Sequence, residues 1–166
     1  MKEHIKIYLI AAVVIILFAR LGLAFPNEPD NFNGIKWESS ISNIEGMKMI
    51  VDIGEDIAYA RPNDSFDVVR GITLDVFMDV SILYGAYKDR FYQGTVMYKG
   101  EESFEMSKRK LIAKHGMWSD YEMERDRGIL KLFWKGEKVD ITLTFNIPHK
   151  VGYVMYTYLP IYLELH

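Results

Sequence analysis

The chain has 166 residues, no cysteine and a formal charge of −3, and 49% of it is hydrophobic and 14% aromatic. Without cysteine there is neither a disulfide nor a thiolate metal site, so packing must hold the fold. The aromatic content and the lack of low-complexity tracts exclude a disordered chain, and the acidic balance disfavours nucleic acid, whose binding depends on neutralising phosphates, as well as tight attachment to anionic lipid.

Residues 1–24 read as a signal peptide that engages the membrane before cleavage. A basic start, MKEHIK, precedes the apolar run IYLIAAVVIILFA, and Gly22 and Ala24 supply the small residues an export peptidase prefers. The run from Ile7 to Ala19 would make a helix of about 20 Å, short of the roughly 30 Å hydrocarbon core of a bilayer. Extending it to Phe25 would force Arg20 to snorkel. The expected location is therefore the periplasm or the medium, with a membrane tether through an uncleaved leader as the alternative. Having no cysteine, the chain cannot carry a lipid on a first mature cysteine. Cleavage would remove three basic residues and one acidic residue, leaving a more acidic product of single-domain length.

Residues 25–31, polar and with two prolines, read as a tether or surface-hugging arm ahead of a single domain over 32–166. In WESSISNIEG, Ser42 and Glu45 have capping-box spacing. A start at Ser39 or Ser40 with Gly46 as the stop predicts a short helical turn that docks through Ile41 and Ile44. Strand-like segments follow: MKMIVDI and IAYAR around Gly54-Glu55-Asp56, an RPND interruption, then GITLDVFMDV with one wet face. ILYGAY and FYQGTVMY around Lys88-Asp89-Arg90 predict a hairpin. SFEMSKRKLIAKHG predicts the main helix, with Ser103 as cap, Gly116 as stop, and Phe104, Leu111, Ile112 and His115 along one stripe.

The last third predicts an antiparallel run: ILKLFW, a Lys135-Gly136-Glu137 turn, VDITLTF, the turn NIPHKVG, and YVMYTYLPIYLEL. Val139, Ile141, Leu143 and Phe145 alternate with Asp140, Thr142, Thr144 and Asn146, defining an inner and an outer face. The expected class is α+β, a mostly antiparallel β-sheet packed by one main helix and a short N-terminal helical turn.

The pieces NFNGIKW, ILYGAYKDRFY, SFEMSKRKLIAKHG, GEKVDITLTF and YTYLPI resemble uncharacterised exported bacterial proteins with a Phe-x-Gly-Ile-x-Trp opening and a closing Tyr-x-Tyr strand. The resemblance spans roughly 32–161 and implies a small α+β domain but no particular activity. Glu38 stands where that group commonly has glycine after the tryptophan, and His115 where its helix ends in tyrosine. A looser similarity to small outer-membrane assembly lipoproteins lies in the segment after Gly34-Ile35, without their lipid-bearing cysteine.

Two groups of residues are candidates for function. In YVMYTYLPIY, Tyr156 and Tyr158 share a face with Val154, and Tyr153, Met155 and Thr157 share the other. An exposed tyrosine face among Tyr153, Tyr156 and Tyr158 would suit a peptide, a glycan or a protein; alternatively the tyrosines form a second small core with Trp37, Trp118 or Trp134 beneath the arm. In DYEMERDRG, the acids Asp120, Glu122, Glu124 and Asp126 lie two apart and would line one side of an extended chain, where they could offer oxygen ligands to calcium. Arg125 and Lys131 stand where an EF-hand needs glycine and an acid, and the alternative is a charged strand edge that discourages association.

Catalytic chemistry has little support. The histidines match no compact zinc motif, no serine sits in a nucleophile elbow, and only an Asp75–Asp140 approach across strands would offer paired carboxylates. The expected function is a non-enzymatic protein-interaction or scaffold domain of the bacterial cell envelope, needing no cofactor and taking an envelope protein or peptide as partner. The alternative is a small-ligand or calcium-binding periplasmic module. A contiguous apolar surface would favour the first, and a pocket with converging polar groups the second.

Overall fold

A computed structural model describes residues 24–60 and 82–165. The leader as far as residue 23, the RPND interruption, the GITLDVFMDV strand and hence Asp75 lie outside the described residues. The elements are β1 (Asn31–Phe32), β2 (Ile35–Lys36), β3 (Lys48–Ile53), β4 (Asp56–Ala60), β5 (Ile82–Tyr87), β6 (Arg90–Lys99), α1 (Glu101–His115), β7 (Asp120–Glu124), β8 (Ile129–Trp134), β9 (Val139–Asn146), β10 (Val151–Tyr158) and α2 (Leu159–Tyr162). Strands β1 and β2 pair with each other; the other eight form one antiparallel sheet in the order β3-β4-β5-β6-β10-β9-β8-β7. The fold is α+β, as the periodicity predicts.

Local chemistry sets the turns. Lys88 and Asp89 both take positive φ, 50° and 63°, the twist that a two-residue hairpin turn requires between β5 and β6. The Asp89 carboxylate then accepts from the Ser40 hydroxyl at 2.5 Å and from the Ser42 amide at 2.9 Å. These bonds hold its pKa below the usual carboxylate range, the Ser40 bond foremost. With Ser40 bridged to Arg90 and its hydroxyl given to Asp89, it cannot cap a helix. The segment expected to form a helical turn instead makes two successive tight turns, with Ile44 and Met47 amides donating to the carbonyls of Ile41 and Ile44. Ile41 is nonetheless fully buried and Ile44 packs against the core.

The main helix starts two residues before its expected cap. Gly100, at φ 94°, is the N-cap without any side-chain bond, and Ser103 is buried inside the first turn. At the other end Gly116, at φ 78°, donates to the Ile112 carbonyl at 2.8 Å and stops the helix as expected. Phe104, Leu111 and His115 face the sheet, where Phe104 stacks on Phe145 with centroids 4.8 Å apart. Strand β10 ends at Tyr158, short of the extent expected for it: the Leu159 amide makes one last bond in the ladder's register, to the Lys138 carbonyl, and Pro160 in the first turn of α2 ends the run.

Both the arm and α1 lie on the inner face of the sheet. Phe25 packs edge-on against His115, with centroids 5.2 Å apart, and the Asn27 amide donates to the Lys114 carbonyl. Glu28 places its carboxylate on the backbone amides of Glu137, Lys138 and Val139. Phe32 is 1% exposed and sits among Tyr84, Phe91 and Tyr156. Residues 25–31 run along the domain, held at Phe25, Asn27 and Glu28.

Candidate functional site

The strand alternation splits the three candidate tyrosines. On the inner face Tyr156 is 1% exposed, against Phe32, and burial pushes its hydroxyl pKa well up. Tyr158, half-buried, stacks on Trp37, which also stacks on Phe91, and donates to Glu38 at 2.7 Å. Trp37 donates in turn to the Pro29 carbonyl at 2.9 Å. Tyr156 therefore belongs to the main core, which also holds Phe32 and Trp134, and Tyr158 and Trp37 pack against it. The 2-residue period of β10 separates them as the sequence alternation predicts, with Tyr156 and Tyr158 on the inner face and Tyr153 on the outer.

The four acids are split too. Asp120, Glu122 and Glu124 alternate along β7 onto the outer face, while Asp126 lies in the turn between β7 and β8. Lys131, opposite Glu122 in the β7–β8 ladder, bonds Glu122 at 3.4 Å and Glu124 at closer range. That ammonium holds the Glu124 pKa below the usual range, and Glu124 in turn raises that of Lys131, so both are charged at neutral pH. Among the described residues no group of three or more His, Cys, Asp or Glu is placed to hold a metal ion. Cross-strand pairing sets the Lys131 ammonium against two of the β7 acids.

Tyr153 and Glu124, drawn from these separate groups, line a single groove of about 490 Å³ on the outer face. A cross-strand row fixed by register runs along it: Lys131, Thr144, Tyr153 and Met97, on β8, β9, β10 and β6. A neighbouring row adds Ile129, Asn146 and Val151. Met97, Ile129, Val151 and Tyr153 make the walls apolar, and Lys131, Glu124 and Arg127 close one end. Thr144 is 5% exposed, and its hydroxyl is buried without a hydrogen-bond partner among the described residues.

The floor of the groove is held from behind. A Cβ on Gly152 would fall 2.2 Å from the Thr144 carbonyl and 2.5 Å from the Tyr98 hydroxyl. Glycine at that position lets Tyr98 cross β10 and donate to the Thr144 carbonyl at 2.6 Å. Sequence reasoning placed Thr144 on the wet face but missed it, Lys131 and Met97 as site residues, because only the register of β6, β10, β9 and β8 brings them together.

No family model, curated protein or solved structure matches the chain.

Proposed function

We propose that the chain is a non-enzymatic small-ligand-binding module, exported from the cytoplasm, with its site on the outer face of the sheet around Tyr153. The observation that carries this reading is the groove itself. Its volume of about 490 Å³ lies within the few-hundred to ~1,000 Å³ range of ligand sites, and like them it joins apolar walls to a few converging polar groups. Binding rather than catalysis is favoured because Glu124 and Lys131 are paired with each other instead of being poised to exchange protons. The leader's composition supports an extracytoplasmic place of action.

The test is a thermal-shift screen of small amphipathic molecules against the full chain and its Tyr153→Ala variant. Compounds that raise the melting temperature of the wild type but not of the variant support the reading. If every stabilising compound acts equally on both, the groove is not the site.

One observation favours the protein-interaction alternative. Strand β3, at the edge of the sheet among the described residues, exposes Met49, Ile50 and Val51 by 59%, 45% and 44%, an apolar edge of the kind to which other strands add. An envelope protein retained by the wild type and lost by Ile50→Asp would support that reading; equal retention by both would reject it.

A further inference from the structure

We infer that the ligand taken by the groove is a small amphipathic carboxylate, its apolar body against Tyr153, Met97, Ile129 and Val151 and its head at the Thr144–Lys131 end. The inference rests on the small-ligand reading and goes beyond it to the chemistry of the head group.

An inventory of hydrogen-bonding groups at that end carries the argument. The Lys131 ammonium has three N–H donors, of which Glu122 and Glu124 take two. Arg127 pairs with Glu124 at 3.6 Å and is 76% exposed, leaving most of its guanidinium donors to solvent. The Asn146 carbonyl oxygen accepts from the His149 amide at 3.1 Å, which leaves the side-chain NH₂ as a donor. The Thr144 hydroxyl has no partner among the described residues. The carboxylate that lines this end, Glu124, is already bonded to Lys131 and paired with Arg127. The donors of Lys131, Arg127 and Asn146 left over at this end outnumber the carboxylate oxygens that face them, and a carboxylate supplies two acceptor oxygens in one group.

Thr144 sharpens the assignment. A hydroxyl buried without a partner destabilises the free protein, so its place beside a groove is explained by a partner that arrives with the ligand. Thr144 is flanked on the outer face by Lys131 and Tyr153, its partners in the β8 and β10 ladders. Both have long side chains, and a rotamer change in either opens the hydroxyl to a ligand oxygen. The β-branched isostere valine keeps the strand preference and the shape while removing the hydroxyl, which makes Thr144→Val a clean probe.

The experiment titrates octanoate, octanol and octylamine separately into the full chain at pH 7 and follows the methyl resonances of Met97, Ile129, Thr144 and Val151. Octanoate is expected to give saturable shifts at these methyls and to bind at least about tenfold more tightly than octylamine. Thr144→Val is expected to melt no lower than the wild type while binding octanoate about tenfold more weakly, the scale of one hydrogen bond to a charged group. Octanol binding as tightly as octanoate with the same shifts would overturn the carboxylate assignment and leave the groove standing. Octylamine binding more tightly would also overturn it, as would full octanoate affinity in Thr144→Val. If none of the three shifts these methyls, the small-ligand reading falls as well.

Discussion

The ring of Phe32 occupies the space that a side chain on Gly94 would fill: a Cβ built there would lie 2.4 Å from the ring carbons. Gly94 pairs with Tyr84 on β5 and with Tyr156 on β10, so the missing side chain opens a socket between two tyrosines. Gly94→Ala should force the ring out and destabilise the fold by about 1–3 kcal/mol, the usual range for overpacking. In a Phe32→Ala background the same change should be nearly silent, because the atoms it meets are gone. Denaturant unfolding of both single variants and the double variant measures this; additive effects would show that the socket is not shared.

Glu28 anchors the arm through an amide cluster in the β8–β9 connection. Its carboxylate accepts from the Glu137 amide at 3.2 Å, from Lys138 at 2.5 Å and from Val139. A Cβ on Gly136 would lie 2.6 Å from that carboxylate, so this glycine keeps the approach open. Glu28→Ala should cost roughly 1–3 kcal/mol, the scale of losing charge-assisted bonds to backbone amides. Amide exchange at residues 137–139 should quicken more than elsewhere, and unchanged exchange there would show that the arm is held by other contacts.

His115 gives the fold a dependence on mild acid. Burial, with a smaller contribution from Lys114, lowers its pKa from 6.5, against weaker bonds to the Pro26 and Asn27 backbone that raise it. A histidine that is harder to protonate folded than unfolded contributes stability that is complete above the unfolded pKa. That contribution is lost as the pH falls from about 6.5 through the folded value. The melting temperature should therefore decline on acidification below about pH 6.5, with the decline reduced in His115→Gln. Proton NMR titration of the ring gives the folded pKa directly; a value of 6.5 would abolish the expected decline, and a higher one would reverse it.

Tyr153 and Tyr156 should separate binding from stability. Tyr156→Ala empties a fully buried site and should cost about 3–5 kcal/mol, as large aromatic truncations do. Tyr153→Ala, at a half-buried position on the outer face, should cost about 1 kcal/mol or less. Urea unfolding of the two variants decides it; comparable losses would place Tyr153 in the structural core.

Elements with local causes were legible in the sequence. The Lys88-Asp89 hairpin, the stop at Gly116 and the two faces of β9 each follow from a turn residue or a period of two. The 39–46 segment was misread because Ser40, a good cap by type, is taken up by Asp89, 49 residues away. The site was less legible for the same reason. Alternation could separate Tyr153 from Tyr156, but setting Tyr153 beside Thr144, and Thr144 beside Lys131, required the order of four strands. The β7 acids illustrate the gap: their spacing put three of them on one face, but that Lys131 stands against Glu122 and Glu124 follows only from the register.

The anchoring of Glu28 also bears on the order of events as the chain is made. Its acceptor amides lie 109 to 111 residues further on, and Asn27 bonds a carbonyl 87 residues away. The arm is thus among the first described segments to be synthesised and cannot be seated until α1, the β8–β9 connection and the β10 wall of the Phe32 socket exist. Contacts of such sequence separation are slow to form, because a long loop must close before any bond rewards it. Seating the arm is a late latch on an almost finished domain, and a chain cut short before the β8–β9 connection lacks the amides that hold Glu28.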